Sequence, residues 1–254
     1  MAILTPKTFT SGEVLTAADV NAYLRGGYMG SVYFTSSGTF TKATYPWLRA
    51  VRVFVTGGGG GGGGGSSATG AGELSVGSGG GGGATAVKFF EASSLGASET
   101  VTVGGGGAGG TGDGTDGTAS SFATGEAYEV TADAGGAGQW TGGGISKGTG
   151  VIFAYSGFGG KDGSGADYYI PGQQGEMAFD SGLVNSRVKR AGGGASFFGF
   201  GGEPVWQSTA GSFDGQDGGA GGGGGGGGGM TENQTTVAVG GDGGNGVVHI
   251  ELYA

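Results

Sequence analysis

The chain has 254 residues, of which 73 are glycine, 4 proline and none cysteine, and its 11 Lys and Arg against 20 Asp and Glu give a formal net charge of −9. That balance excludes a disulfide scaffold and thiolate chemistry, and it argues against a phosphate-binding surface and hence against nucleic acid as a partner. Glycine approaches its share in collagen without the strict three-residue register or the proline, while 10% aromatic residues are too many for a disordered low-complexity chain.

Met1 to Thr10 reads as an extended arm, because Pro6 discourages helix. Thr16-Ala17-Ala18-Asp19 then opens a short capped helix that ends at Gly26-Gly27 and carries Leu15, Val20, Tyr23 and Leu24 on one face. One or two amphipathic turns do not fold alone, so this face packs on another protein, on another copy or back on its own domain. The start of the chain lacks the basic-then-apolar pattern of a signal peptide, and no apolar stretch is long enough to cross a bilayer, so membrane insertion is not expected. Residues 1–30 therefore form a leader, and 31–254 one main domain.

That domain reads as all-β. Val32-Tyr33-Phe34 and Thr39-Phe40-Thr41, separated by Ser36-Ser37-Gly38, suggest a hairpin or bent strand. Val51, Val53 and Val55 alternate with Arg52, Phe54 and Thr56 in a half-buried strand, and further strands are expected over 86–91, 99–103, 235–239 and 247–253. Short strands with turn residues between them point to a sandwich. Glu99 to Gly105 echoes Thr235 to Gly241, as if one structural task were performed twice.

Two runs of glycine, Gly57 to Gly65 and Gly221 to Gly229, dominate the organisation. Each such residue loses much backbone entropy on ordering and buries no side chain, so a run is either a flexible tether or an extended three-residues-per-turn helix whose N–H and C=O groups bond to neighbours. In the ordered form nine residues reach about 28 Å. The middle, 120–217, is glycine-rich but studded with aromatic residues, which flexible tethers lack.

The succession of strand, glycine run, strand, Leu95-Gly96, Thr100 to Gly104, Gly-Asp turns, aromatic middle, second glycine run and terminal strand Gly246 to Ala254 resembles the glycine-rich domain of tailed-phage minor tail proteins and tail-tip adhesins. The opening Thr8 to Arg25 also resembles the leader of such proteins, especially from phages of actinobacteria. The resemblance implies a virion component of the distal tail: a homotrimer with a jelly-roll-like β-sandwich core and polyglycine-II helices, partnered by other tail proteins and by a host cell-wall glycan or surface protein. It implies that Leu15, Val20, Tyr23 and Leu24 dock to the tail. The strand-and-glycine order is similar as well to the glycine-rich extracellular domain of anaplastic lymphoma kinase, from which only the fold carries over.

Chemistry has little raw material. The glycine run after Thr56 lacks the Lys and the following helix of a phosphate loop. His249 is the one histidine, on the face of its strand opposite Val248, Ile250 and Leu252, so neither a zinc centre nor a His-based catalytic centre is expected. Asp113-Gly114-Thr115-Asp116 and Asp214-Gly215-Gln216-Asp217 read as turns in which Asp caps a bend, with calcium as the other possibility. A glycan hydrolase would need two carboxylates at a set separation, which sequence does not display. A non-enzymatic protein without cofactor or metal is expected. Its candidates for host-surface contact are Trp140, Tyr155, Tyr168, Tyr169 and Trp206, flat rings that lose little entropy on binding and that could instead pack inside the particle.

Overall fold

In the computed structural model, two five-stranded antiparallel sheets share one buried core. The structure describes residues 10–14, 16–17, 27–65, 73–140, 145–146, 152–180, 188–189, 191–204, 206–207, 211–230 and 234–254. The first sheet runs, in spatial order, Tyr28–Phe34, Val247–Tyr253, Ala50–Thr56, Thr85–Glu91 and Tyr168–Ile170. The second runs Gly163–Ser164, Val130–Ala132, Ser120–Phe122, Ser98–Thr102 and Gly38–Thr41. Alternation decides what they bury: Val51, Val53, Val55, Val248, Ile250 and Leu252 of the first sheet meet Phe40, Val101, Phe122 and Val130 of the second. The chain is all-β, as its alternating strands lead one to expect.

Some local expectations are corrected. The strands Tyr28–Phe34 and Gly38–Thr41 are not a hairpin; the first pairs with the last strand and the second with Ser98–Thr102, so the chain changes sheets at 35–37. Residues 235–239 form no strand, only an isolated bridge from Ala238 to Gly65. Most of the expected helix, with Leu15, Val20, Tyr23 and Leu24, lies outside the described residues.

The first glycine run is ordered. N–H groups of Gly57, Gly60 and Gly63 donate to Ala84, Gly81 and Ser78; those of Gly58, Gly61 and Gly64 to Thr118, Thr115 and Gly112; those of Gly59, Gly62 and Gly65 to Gly244, Gly241 and Ala238. Its carbonyls accept with the same three-residue repeat: Gly58 and Gly61 from Gly135 and Gly138, Gly59 and Gly62 from Gly107 and Gly110, Gly60 and Gly63 from Gly225 and Gly228. All these bonds are 2.7–3.0 Å long. Six segments therefore surround the run, three antiparallel to it and three parallel.

Two further segments, 77–84 and 222–228, are enclosed in the same way, and all three inner segments touch one another. The second glycine run enters through a turn. Gly221 and Gly222 have φ of +97° and +90°, values that a side chain disfavours, and both N–H groups donate to the Asn245 carbonyl. Around the inner three, hydrogen bonds close a ring of segments at 104–110, 112–118, 133–139, 157–160, 172–176, 191–195, 199–202, 214–219 and 238–244. The echo between 99–105 and 235–241 ends here: its glycines enter adjacent ring segments that run in opposite directions.

The lattice stands on the two sheets. Thr56 leads into the inner run and Gly246 leads out into the last strand, so one end of the lattice joins the strands and the other is distal to them. At the distal end, short strands form a four-stranded sheet and two pairs, with Leu74, Val76, Ala154, Ala178 and Ala191 as a small second core.

Glycine identity matters where neighbours close in. A Cβ added at Gly61 would fall on the Ala108 carbonyl, whereas one at Gly105 would meet nothing nearer than 3.9 Å. Gly61→Ala should cost about 3 kcal/mol or more, since backbone rather than a side chain would have to move. Gly105→Ala should stay within about 0.5 kcal/mol of wild type or gain slightly. Urea denaturation of the two variants beside wild type checks the contrast.

Candidate functional site

At the distal end of the lattice, the described short strands lie between hydrogen-bonded segments on both sides. Loops on a rigid support are the usual place for binding residues. Three of the expected aromatic residues belong here. Trp140 bridges to Gly77, and its backbone N–H donates to Asp113 Oδ1 at 3.0 Å. Tyr155 is 71% exposed while its carbonyl accepts from Ser78 Oγ and Gln139 N. Trp206 lies in the strand pair Trp206–Gln207 with Val188–Lys189.

Tyr168 and Tyr169 lie apart from this cluster. They form the edge strand Tyr168–Ile170 of the first sheet, at the other end of the lattice. Tyr169 packs against the main core and its hydroxyl accepts from Ala166 N, whereas Tyr168 is exposed on the opposite face. The five share ring chemistry, but lattice segments 157–160 and 172–176 lie between Tyr168–Tyr169 and the other three.

The Asp-Gly motifs have a different role from turn capping. Asp116 Oδ1 accepts from Ala137 N at 2.7 Å, Asp217 Oδ1 from Asp242 N at 2.9 Å, Asp214 Oδ1 from Val239 N at 2.8 Å and Asp242 Oδ1 from Gly109 N at 2.7 Å. Each carboxylate satisfies an outward N–H of the neighbouring ring segment, and the spacing of three in Asp113/Asp116 and Asp214/Asp217 is the repeat of the lattice itself. Among the described residues no group of three His, Asp or Glu is placed to hold a metal ion. Asp133 is raised above the ordinary carboxylate range, first by burial and then by a hydrogen bond with Asp162. The two border a hollow of about 360 Å³ with Asp116 and Lys161. The Asp133 backbone N–H donates to the Asp162 carbonyl at 2.9 Å, so the two residues stand side by side on neighbouring segments.

Among the described residues, His249 is the buried polar side chain without a match. Its ring lies 4.1 Å from Tyr33 and nearly parallel to it, 5.4 Å from Phe54, and edge-on to Phe198 at 5.8 Å. Neither ring nitrogen has a hydrogen-bond partner. Burial lowers its pKa; the Glu251 carboxylate opposes this and Arg52 reinforces it. Phe198 comes from the turn at the root of the lattice, where Ser196 Oγ donates to the Gly221 carbonyl, so the imidazole stack ties that turn to the first sheet.

A folded pKa below the unfolded value of about 6.5 means that the unfolded chain takes up the proton first. Stability contributed by the neutral imidazole is then complete above about pH 6.5 and declines as pH falls from there towards the folded pKa. Urea midpoints measured between pH 8 and pH 5 should fall in the wild type over that window. In His249→Phe, which keeps the stack, that part of the decline should vanish.

A search of curated proteins found no match to the chain. Residues 35–253 match the family described as Glycine-rich domain, a span that takes in the second sheet, the whole lattice, the distal strands and all of the first sheet but its edge strand Tyr28–Phe34. The chain belongs to that glycine-rich domain family.

Proposed function

We propose that this chain is a structural protein of a phage tail tip that contacts the host surface through its distal loops. In this reading the two sheets are a jelly-roll-like sandwich and the glycine segments are polyglycine-II helices. The protein is a homotrimer and non-enzymatic, residues 1–30 dock to other tail proteins, and it resides in the distal tail of the virion. The observation that carries the proposal is the architecture itself: a hydrogen-bonded glycine lattice holds Trp140, Tyr155 and Trp206 at the end farthest from the sheets. The resemblance of leader and glycine order to tail proteins supplies the setting.

The chemistry suits surface attachment. Trp and Tyr rings present flat apolar faces to sugars or proteins at small entropic loss. Weak individual contacts suffice when three linked copies act together, because the second and third are intramolecular. The partner is a cell-wall glycan or a surface protein of the host.

The test is co-sedimentation of the full-length protein with actinobacterial cell walls, beside a variant with Trp140, Tyr155 and Trp206 changed to Ala. Wild-type protein should sediment with the walls of at least one host and the variant should lose about tenfold or more in affinity, the equivalent of ~1.4 kcal/mol. Binding undiminished in the variant would place the contact elsewhere. Wild-type protein that binds no wall would make the chain a plug or sleeve of the tail without receptor affinity.

A further inference from the structure

The two sheets turn different surfaces away from their shared core. On the second sheet the outward row is Thr102, Ser121, Thr131 and Ser164, with Thr39 and Thr100 beyond it, and the hydroxyls bond to one another, as between Thr131 and Ser164 at 3.0 Å. That is the polar outer face an antiparallel sheet normally offers to water. The first sheet carries the opposite. Its cross-strand register aligns Tyr33, His249, Phe54, Val87 and Tyr168 in one outward row, with Phe89 in the next and Phe197 stacked over Phe54. His249, Phe54 and Val87 in the middle of the row are buried, with Phe197 and Phe198 packed against Phe54 and His249, while Tyr28, Tyr33, Phe197 and Tyr168 around them are each more than half exposed. An apolar patch of this extent on one face, when the equivalent face is hydroxylated, marks a contact surface.

We propose that the outer face of the first sheet is where copies of this chain meet, so that the aromatic rows of neighbouring subunits pack against one another. The inference rests on the self-association in the proposed function and gives it a surface.

Charge selects the occupant. The chain bears −9 overall, and the rim of the lattice displays Asp113, Asp116, Asp214, Asp217 and Asp242, so copies meeting there would bring like charges together. At the centre of the aromatic face the charges are already matched within the subunit: Arg52 pairs with Glu251 at 2.7 Å, and the Tyr253 hydroxyl donates to the same carboxylate. Two such faces meet without repulsion. Size agrees. Four strands of seven residues and an edge strand of three, at ~4.8 Å spacing and ~3.4 Å per residue, make a plane of roughly 500 Å², part of which Phe197 and Phe198 cover. That is the scale of one protein contact, for which about 800 Å² of accessible surface per partner is standard, and it is far more than a single sugar ring covers.

Light scattering after size exclusion of the full-length protein tests this, with Tyr33→Glu/Phe89→Glu as the face variant and Thr100→Glu/Thr131→Glu as its counterpart on the second sheet. The wild type and the counterpart should elute as the same oligomer, and the face variant as a monomer with an unchanged circular dichroism spectrum. A second measurement covers the case in which the face variant fails to fold. The chain has no cysteine, so Tyr33→Cys and Thr100→Cys each place a single thiol, and a bifunctional maleimide should link subunits through the first and not the second. Cross-linking through Thr100→Cys alone, or a face variant that folds and remains oligomeric, would show that copies meet elsewhere while leaving self-association intact. A monomeric wild type would overturn both the surface and the self-association, and would leave wall binding to be judged by sedimentation.

Discussion

In the glycine lattice, the carbonyl oxygens of neighbouring segments occupy the places where Cβ atoms would stand. At Gly59, Gly60 and Gly61 an added Cβ would fall on the carbonyls of Gly223, Gly136 and Ala108. This exclusion sets the rest of the structure. Only a backbone without side chains can be approached from six directions, and only six neighbours can satisfy the N–H and C=O groups of a segment with no hydrogen bonds of its own. Ordering glycine forfeits more conformational entropy than ordering any other residue, and no apolar side chain is buried to offset it. The hydrogen bonds repeating in three directions supply the compensation collectively, which is why inner segments need a complete ring around them.

The lattice bonds join residues far apart in sequence, such as Gly59 with Gly244 and Gly62 with Gly241. Loop closure of that span is unfavourable until something else brings the ends together. The two sheets do so: the inner run begins where Ala50–Thr56 ends, beside the strand that Gly246 feeds, and every ring segment returns to the sheets or to a tight turn beside them. The hydrophobic core thus fixes the roots of the segments, and the lattice carries that order outward to loops that have only a small core of their own.

How much of this was legible depends on the kind of signal. The strands were visible through period-two alternation, as at Val51, Val53 and Val55, because one face of each is buried in an apolar core. Pairing was less visible. Strands 28–34 and 38–41 look like a hairpin locally, and nothing local reveals that each has a better partner more than fifty residues away. The two nine-residue glycine runs announced the lattice, yet the third inner segment, Gly-Ser-Gly-Gly-Gly-Gly-Gly-Ala at 77–84, is equally enclosed and drew no notice, although its composition carried the same signal. The ring segments were harder. Each needs glycine only at positions facing inward, so Phe158, Phe200, Asp116 and Asp217 interrupt the pattern and read as loops or turns. A spacing of three between Asp residues was the available clue. Of the candidate residues, Trp140, Tyr155 and Trp206 lie at the distal end of the lattice, whereas Tyr168 and Tyr169 lie in an edge strand of the first sheet whose alternation a three-residue segment is too short to show.

The central claim is that the glycine run 57–65 is a fully bonded interior and not a tether. Native-state hydrogen exchange of the Gly57 to Gly65 amides tests it most directly. If each N–H is bonded to a neighbouring segment and shielded from water, as the contacts of 2.7–3.0 Å require, these amides should exchange only through global unfolding, as slowly as those of Val53 and Ile250 in the sheets. Exchange of the run at the rate of an unstructured peptide, while the strand amides stay protected, would contradict the account.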